Sequence, residues 1–213
     1  MQPIGSFLTG KGLRLAELQD YVIDIIYDRF QPDALLYGGT AIWRCFGGAR
    51  FSDNIDIYME TRSFDNLISS LEKYGLRLLW RDPEFPTIVR IANNETELLL
   101  ETKEGYAENE ITAYSRTDGS TKTISVLSPT ELMVGKIEAY LNRKFIRDIY
   151  DLFVLTNWLD KQDYLVRTRF SEFLEDAPRP VDEQVLASLL YSGGKNLNFA
   201  NMIAYIKRWI NEI

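Results

Sequence analysis

The stretch Leu35–Tyr58, LLYGGTAIWRCFGGARFSDNIDIY, decides the fold. It begins inside a short apolar run, Ala34 to Tyr37, that reads as a buried strand and breaks at Gly38-Gly39. A helical pattern covers Thr40 to Phe46 and stops at Gly47-Gly48. Asn54 to Met59 then alternates, with Ile55 and Ile57 on one face and Asn54, Asp56 and Tyr58 on the other. Strand, glycine turn, helix, second turn and acid-bearing strand make a corner suited to a phosphate beside a metal. Glycine lets a ligand approach the backbone, and a helix N-terminus offers unpaired N–H groups at the positive end of its dipole. The Thr40 hydroxyl adds a polar group. The same Gly-Gly pair serves equally well as a tight strand-to-helix connection. Neither a P-loop nor a Rossmann glycine fingerprint occurs.

Upstream, the apolar spacing predicts a helix over Leu13–Phe30, ended by Gln31-Pro32-Asp33. Downstream come a helix over Ser63–Tyr74, with Ser63 as its N-cap, and a strand over Leu76–Trp80. Two hairpins follow, Thr87–Ala92 with Glu97–Thr102 and Ile111–Ser115 with Lys122–Val126. From Ser128-Pro129-Thr130-Glu131, a strong helix start, the pattern is helical to the end. Those helices are Pro129–Leu141, Phe145–Leu159, Gln162–Leu174, Asp182–Tyr191 and Asn198–Trp209, with Ser192-Gly193-Gly194 breaking the last two. The expectation is an α+β fold: a mixed-sheet core over residues 1–127 and a helical half over 128–213.

Composition narrows the chemistry. The chain has 213 residues and no histidine, which removes His-ligated zinc, His general bases and every His-containing triad. A single cysteine excludes an intramolecular disulfide. Any metal must rest on carboxylates, which favours Mg²⁺ or Mn²⁺. A net charge of -7 argues against a surface that coats nucleic acid, though not against a local basic groove. No apolar run approaches membrane-spanning length and no signal peptide is evident, so the expected location is cytoplasmic.

Asn54 and Asp56 leave one face of their strand, the spacing at which paired carboxylates grip a divalent ion; here one partner is an amide. Asp53 has the opposite phase. Arg50 can clamp a phosphate, and Ser52 either caps the turn or touches the ligand. Of the two acids on the later strand, Glu97 and Glu101, Glu101 is chosen as the further metal carboxylate. Lys136 lies on an otherwise apolar and small helical face, either reaching a triphosphate or snorkelling to solvent. Arg147 and Asp151 have the spacing of a helix-surface pair, while Asp148 orients Lys136, binds an acceptor, or does neither.

Taken in order, GGTAIW from Gly38, RFSDNID from Arg50, ELMVGKIEAYLNRK from Glu131 and RDIYDLFVL from Arg147 resemble the AbiEii/AbiGii-type toxin family of the nucleotidyltransferase superfamily. The resemblance implies that Gly38, Gly39, Thr40, Asn54 and Asp56 bind nucleotide and metal, and that Lys136 and Asp148 are functionally important. It also implies an NTP substrate, an RNA acceptor such as tRNA or a protein acceptor, a cognate antitoxin and a role in phage defence. Asn54 stands where the family carries its first metal aspartate. That departure opens a second reading: a catalytically disabled nucleotide-binding or regulatory protein, either naturally so or through an introduced Asp-to-Asn change.

Overall fold

The computed structural model describes residues 2–30, 33–85, 87–105, 107–191 and 197–212. The sequence breaks expected at Gln31-Pro32 and at Ser192-Gly193-Gly194 lie outside the described residues. These residues group into two compact units, Met1–Cys45 with Ser52–Leu127, and Phe46–Phe51 with Ser128–Ile213.

The first unit is built on a mixed seven-stranded sheet. Its strands are β1 (Leu35–Tyr37), β2 (Asn54–Tyr58), β3 (Arg77–Arg81), β4 (Ile88–Ala92), β5 (Glu97–Lys103), β6 (Asn109–Ser115) and β7 (Thr121–Leu127). Their order is β3-β4-β5-β2-β1-β7-β6. The hairpins β3/β4, β4/β5 and β6/β7 and the β1/β2 pair are antiparallel; β2/β5 and β1/β7 are parallel. The alternation in the central strands sorts their side chains. Ile55, Ile57, Val89, Ile91, Leu98 and Leu100 are fully or almost fully buried on one face. Helices α1 (Gly10–Arg29) and α3 (Thr61–Lys73) pack against these strands and bury Val22, Ile26, Phe64 and Leu67. Asn54, Asp56, Tyr58, Leu99 and Glu101 occupy the opposite, less buried face.

Helix α2 (Gly38–Cys45) begins at the glycines themselves. Its Arg44 is a buried cation that the periodicity gave no reason to expect. The guanidinium donates to the carbonyls of Ala16 and Ser115, lies 3.3 Å from Asp20 and stacks 4.0 Å from the Trp43 ring centroid. Tyr114 donates to the same aspartate. The N-cap expected at Ser63 is corrected: α3 starts at Thr61 after Glu60, which makes no side-chain cap. The Glu104 carboxylate instead accepts from the Thr61 amide at 2.7 Å, so an acid just past β5 does the capping.

The second unit is helical: α4 (Pro129–Arg143), α5 (Ile146–Leu155), α6 (Tyr164–Glu175), α7 (Leu186–Leu189) and α8 (Phe199–Asn211). Ser128 caps α4 through the Glu131 amide with Pro129 at the first helical position. Lys144, in the left-handed region at φ 56°, ends that helix. The helix expected over Asp182–Tyr191 is reduced to a 3-10 turn, Glu183–Val185, and the four residues of α7. The physical reason is a competing partner for the backbone. Leu190 is extended and bridges Arg50, while the amides of Phe51 and Tyr191 donate to the carbonyls of Leu189 and Ala49. The segment Phe46–Phe51 is further fixed by donation from the Trp158 indole to the Phe46 carbonyl and from the Ala49 amide to the Tyr150 hydroxyl, both at 2.8 Å. No helix among the described residues is long and apolar enough to cross a membrane.

Candidate active site

In the first unit, three neighbouring strands bring a row of polar groups to the less buried face. Tyr37 of β1 is opposite Asp56 of β2, and Asp56 is in register with Glu101 of β5. Residues paired this way share a sheet face, with backbones about 4.8 Å apart. Glu97 lies beyond the β2 pairing, opposite Ala92, so the register distinguishes the two acids that periodicity alone left equivalent.

Asn54 is fixed by its neighbours. Its amide nitrogen donates to Asp56 Oδ1 at 2.7 Å, and its amide oxygen accepts from Ser52 Oγ at 3.3 Å. Asn54 therefore presents a proton to Asp56 where an aspartate would present a second negative charge. The strand is anchored from the covered side. Gln19 donates to the carbonyls of Ser52 and Asn54, and the buried Thr40 hydroxyl donates to the Asn54 carbonyl at 2.5 Å. The Thr40 hydroxyl proton thus ties α2 to β2. Gly38 has φ 75°, and a Cβ there would collide with the Asp56 carboxylate. Glycine is demanded by backbone and by packing alike, and Asp56 sits against the start of α2, where a helix end favours negative charge.

The register adds Tyr37 and Lys103 to this face beside Tyr58. The two tyrosine rings pack with centroids 4.7 Å apart, and Lys103 Nζ lies 5.4 Å from the Tyr37 ring centroid. Burial, followed by the charges of Asp56 and Glu101, pushes the Tyr37 phenol well above its usual range, so it remains neutral. The alternation of β2 already placed Tyr58 beside Asp56; Tyr37 and Lys103 needed the register.

Arg50, Lys136 and Asp148 belong to the second unit, in a different arrangement. Asp151 accepts two bonds from Arg50, at 3.0 and 2.8 Å, and its Oδ2 lies 2.5 Å from Lys136 Nζ. Asp148 receives two bonds from Arg143, at 2.8 and 2.7 Å, and lies 3.4 Å from Lys136 Nζ. Lys136 is therefore shared by both acids of the RDxxD segment and does not snorkel. Asp148 orients it. The Arg147–Asp151 pair suggested by their spacing gives way to Arg50 and Lys136, and Arg147 instead stacks over Phe145 at 5.4 Å. Burial works to raise the Asp151 carboxyl, but Arg50 and Lys136 outweigh it and hold the group below the usual carboxylate range.

The family model for the nucleotidyl transferase AbiEii toxin, of type IV toxin–antitoxin systems, matches residues 24–204. The chain belongs to the AbiEii family. No curated protein matches it by sequence. Among solved structures it is similar to MenT4, a nucleotidyltransferase toxin from Mycobacterium tuberculosis, with a TM-score of 0.62 and 16% identity over 95% of this chain and 85% of that one. JHP933 from Helicobacter pylori gives 0.64 and 16% over 95% and 91%. The antibiotic-resistance factor ANT(2'')-Ia gives 0.51 and 14% over 78% and 94%. These likenesses establish the nucleotidyltransferase fold. AbiEii membership implies an NTP substrate, a divalent metal and an antitoxin partner.

The residues present fit such a metal. Asp56 and Glu101 are hard oxygen donors from adjacent strands, and Mg²⁺ is commonly held by one or two carboxylates while phosphate and water complete its shell. Among the described residues, no group of three or more His, Cys, Asp or Glu could hold a metal.

Proposed function

We propose that this AbiEii chain is a toxin that transfers a nucleotide from an NTP to an RNA end, with tRNA as the first acceptor to test, and that Asp56 and Glu101 carry its Mg²⁺ or Mn²⁺. The observation that carries this reading is the in-register pairing of Asp56 with Glu101 beside the start of α2. In the reaction, an acceptor hydroxyl oxygen bonds to the α-phosphorus, the bond to the bridging oxygen breaks, pyrophosphate leaves and the hydroxyl proton passes to solvent. A metal at Asp56 and Glu101 supplies charge neutralisation and polarisation of phosphate oxygens. Gly38 and Gly39 open the backbone at a helix N-terminus, where phosphate is favoured. Ser52 and Thr40 hold Asn54 and its strand in place. Lys136 is a fixed cation with one ammonium proton beyond its two carboxylate partners, and Asp148 positions it.

Two cations on the face, Arg90 and Lys103, support an RNA acceptor. A polycationic acceptor, of the kind seen in the adenylyl-2''-tobramycin complex of ANT(2'')-Ia, calls for acids. Beyond Asp56 and Glu101, this face offers Arg90 and Lys103, and Glu97 is already paired with Arg90 at 3.4 Å. Cytoplasmic action beside a cognate antitoxin, in phage defence, completes the reading.

Asn54 favours a second reading, a nucleotide-binding chain with little turnover, because its amide proton holds an oxygen of Asp56. Label transfer from each NTP to total tRNA, with Mg²⁺ or Mn²⁺, separates the two. Transfer by the native chain that is lost in Asp56→Ala supports the enzyme. Transfer only after Asn54→Asp supports the disabled form, and NTP binding by neither chain overturns both.

A further inference from the structure

The face that carries Asn54 and Asp56 continues across the sheet in a second row. Asn54 is in register with Leu99, Leu99 is opposite Arg90, and Arg90 is opposite Trp80 on the edge strand β3. The row spans three strand spacings, roughly 14 Å. Trp80 reaches it only because of an irregularity. The register slips between Leu78 and Trp80, so that Leu78 is opposite Ile91, on the covered face, while Trp80 is opposite Arg90. In a regular strand these two residues, two apart, would share a face. Leu79 is the extra residue of the bulge, and its effect is to re-aim an indole from the helix-covered side to the side of the carboxylates. Arg81, next in sequence, returns to the covered side, where it pairs with Asp65 of α3 at 2.8 Å.

An indole at this position has no core to fill. Trp80 remains 43% exposed, and the Arg90 side chain beside it 51%. Among the described residues, Arg90 pairs with Glu97 in an exposed ion pair, which a phosphate can readily replace. An aromatic ring beside an exchangeable guanidinium suits single-stranded nucleic acid, in which bases stack and phosphates pair. A protein strand adding to this edge would meet the bulge, which disrupts the regular ladder such pairing requires.

We infer that the row Trp80–Arg90–Leu99–Asn54 is a binding strip for single-stranded RNA leading to Asp56, with a base stacked on Trp80 and a phosphate on Arg90. This rests on the reading that the acceptor is RNA, and it assigns positioning roles to two residues outside the family motifs. The test uses the full chain and a fluorescein-labelled single-stranded oligoribonucleotide, read by anisotropy over a salt series, with calorimetric Mg²⁺·ATP binding measured on the same proteins. Trp80→Ala is expected to weaken oligonucleotide binding roughly tenfold. Trp80→Phe should stay within about twofold, because any aromatic face stacks. Arg90→Gln should reduce the salt slope by about one phosphate contact. Nucleotide binding should be unchanged in all three. Oligonucleotide binding by Trp80→Ala equal to native overturns the strip, as does a native chain that binds Mg²⁺·ATP but no oligonucleotide. A native chain that binds neither overturns the strip and the functional reading together.

Discussion

Two clusters of charge in this chain use the same residue types in opposite ways. On the sheet of the first unit, Asp56 and Glu101 lie side by side, half-buried, with Asn54 donating to the first. In the second unit, Asp148 and Asp151 are almost wholly buried, and Arg50, Lys136 and Arg143 surround them. The first pair lies in register on neighbouring strands, where two hard oxygen donors suit a divalent ion. The second is already supplied with cations, and its acids organise those cations while fixing the Phe46–Phe51 segment to α5. Carboxylates thus stand beside a hydrogen-bonding amide in one unit and inside an ion-pair knot in the other.

The sharpest way to break this comparison is Asp151→Asn. It removes the charge that Arg50 and Lys136 share while leaving both cations buried, and disrupting one partner of such a pair typically costs about 3–5 kcal/mol. Chemical denaturation should show that loss. A variant as stable as the native chain would mean that the knot is no structural element.

A smaller effect is expected from acid. The Asp151 carboxyl is held below its unfolded value, so its contribution is fully present above that value, about pH 4, and is lost as pH falls through the lower folded value. The second unit should therefore keep this contribution at pH 5 and lose it only below about pH 4. Asp151→Asn should flatten that limb of the stability profile. An equal acid limb in native and variant chains would assign the loss to other groups.

Much of the fold was legible because periodicity survives in sequence. The alternation of Asn54–Tyr58 and the helical spacing of Leu13–Phe30 and Pro129–Leu141 each became the expected kind of element, with shifted ends. Local signals failed where a distant group took over the job. Glu104 caps α3 in place of Ser63, and the Phe46–Phe51 segment takes the backbone partners that a longer helix around Leu186 would have used. Of the motif positions, Gly38 and Asp56 in the first unit and Lys136 and Asp148 in the second stand out in sequence because each breaks a local apolar or helical pattern. Their partners do not. Arg50 and Asp151 are 101 positions apart, the choice of Glu101 over Glu97 depends on strand register, and Trp80 depends on a one-residue slip.

Asp56 and Glu101 are proposed to hold a divalent ion together with the nucleotide. Calorimetric titration of Mn²⁺ with a non-hydrolysable NTP analogue, on the native chain, Asp56→Asn and Glu101→Gln, tests it most directly. Each substitution should weaken metal-dependent nucleotide binding at least tenfold while leaving the melting temperature within a few degrees, since both side chains are half-buried on an open sheet face. Native-like Mn²⁺ and nucleotide binding in both variants would contradict the account.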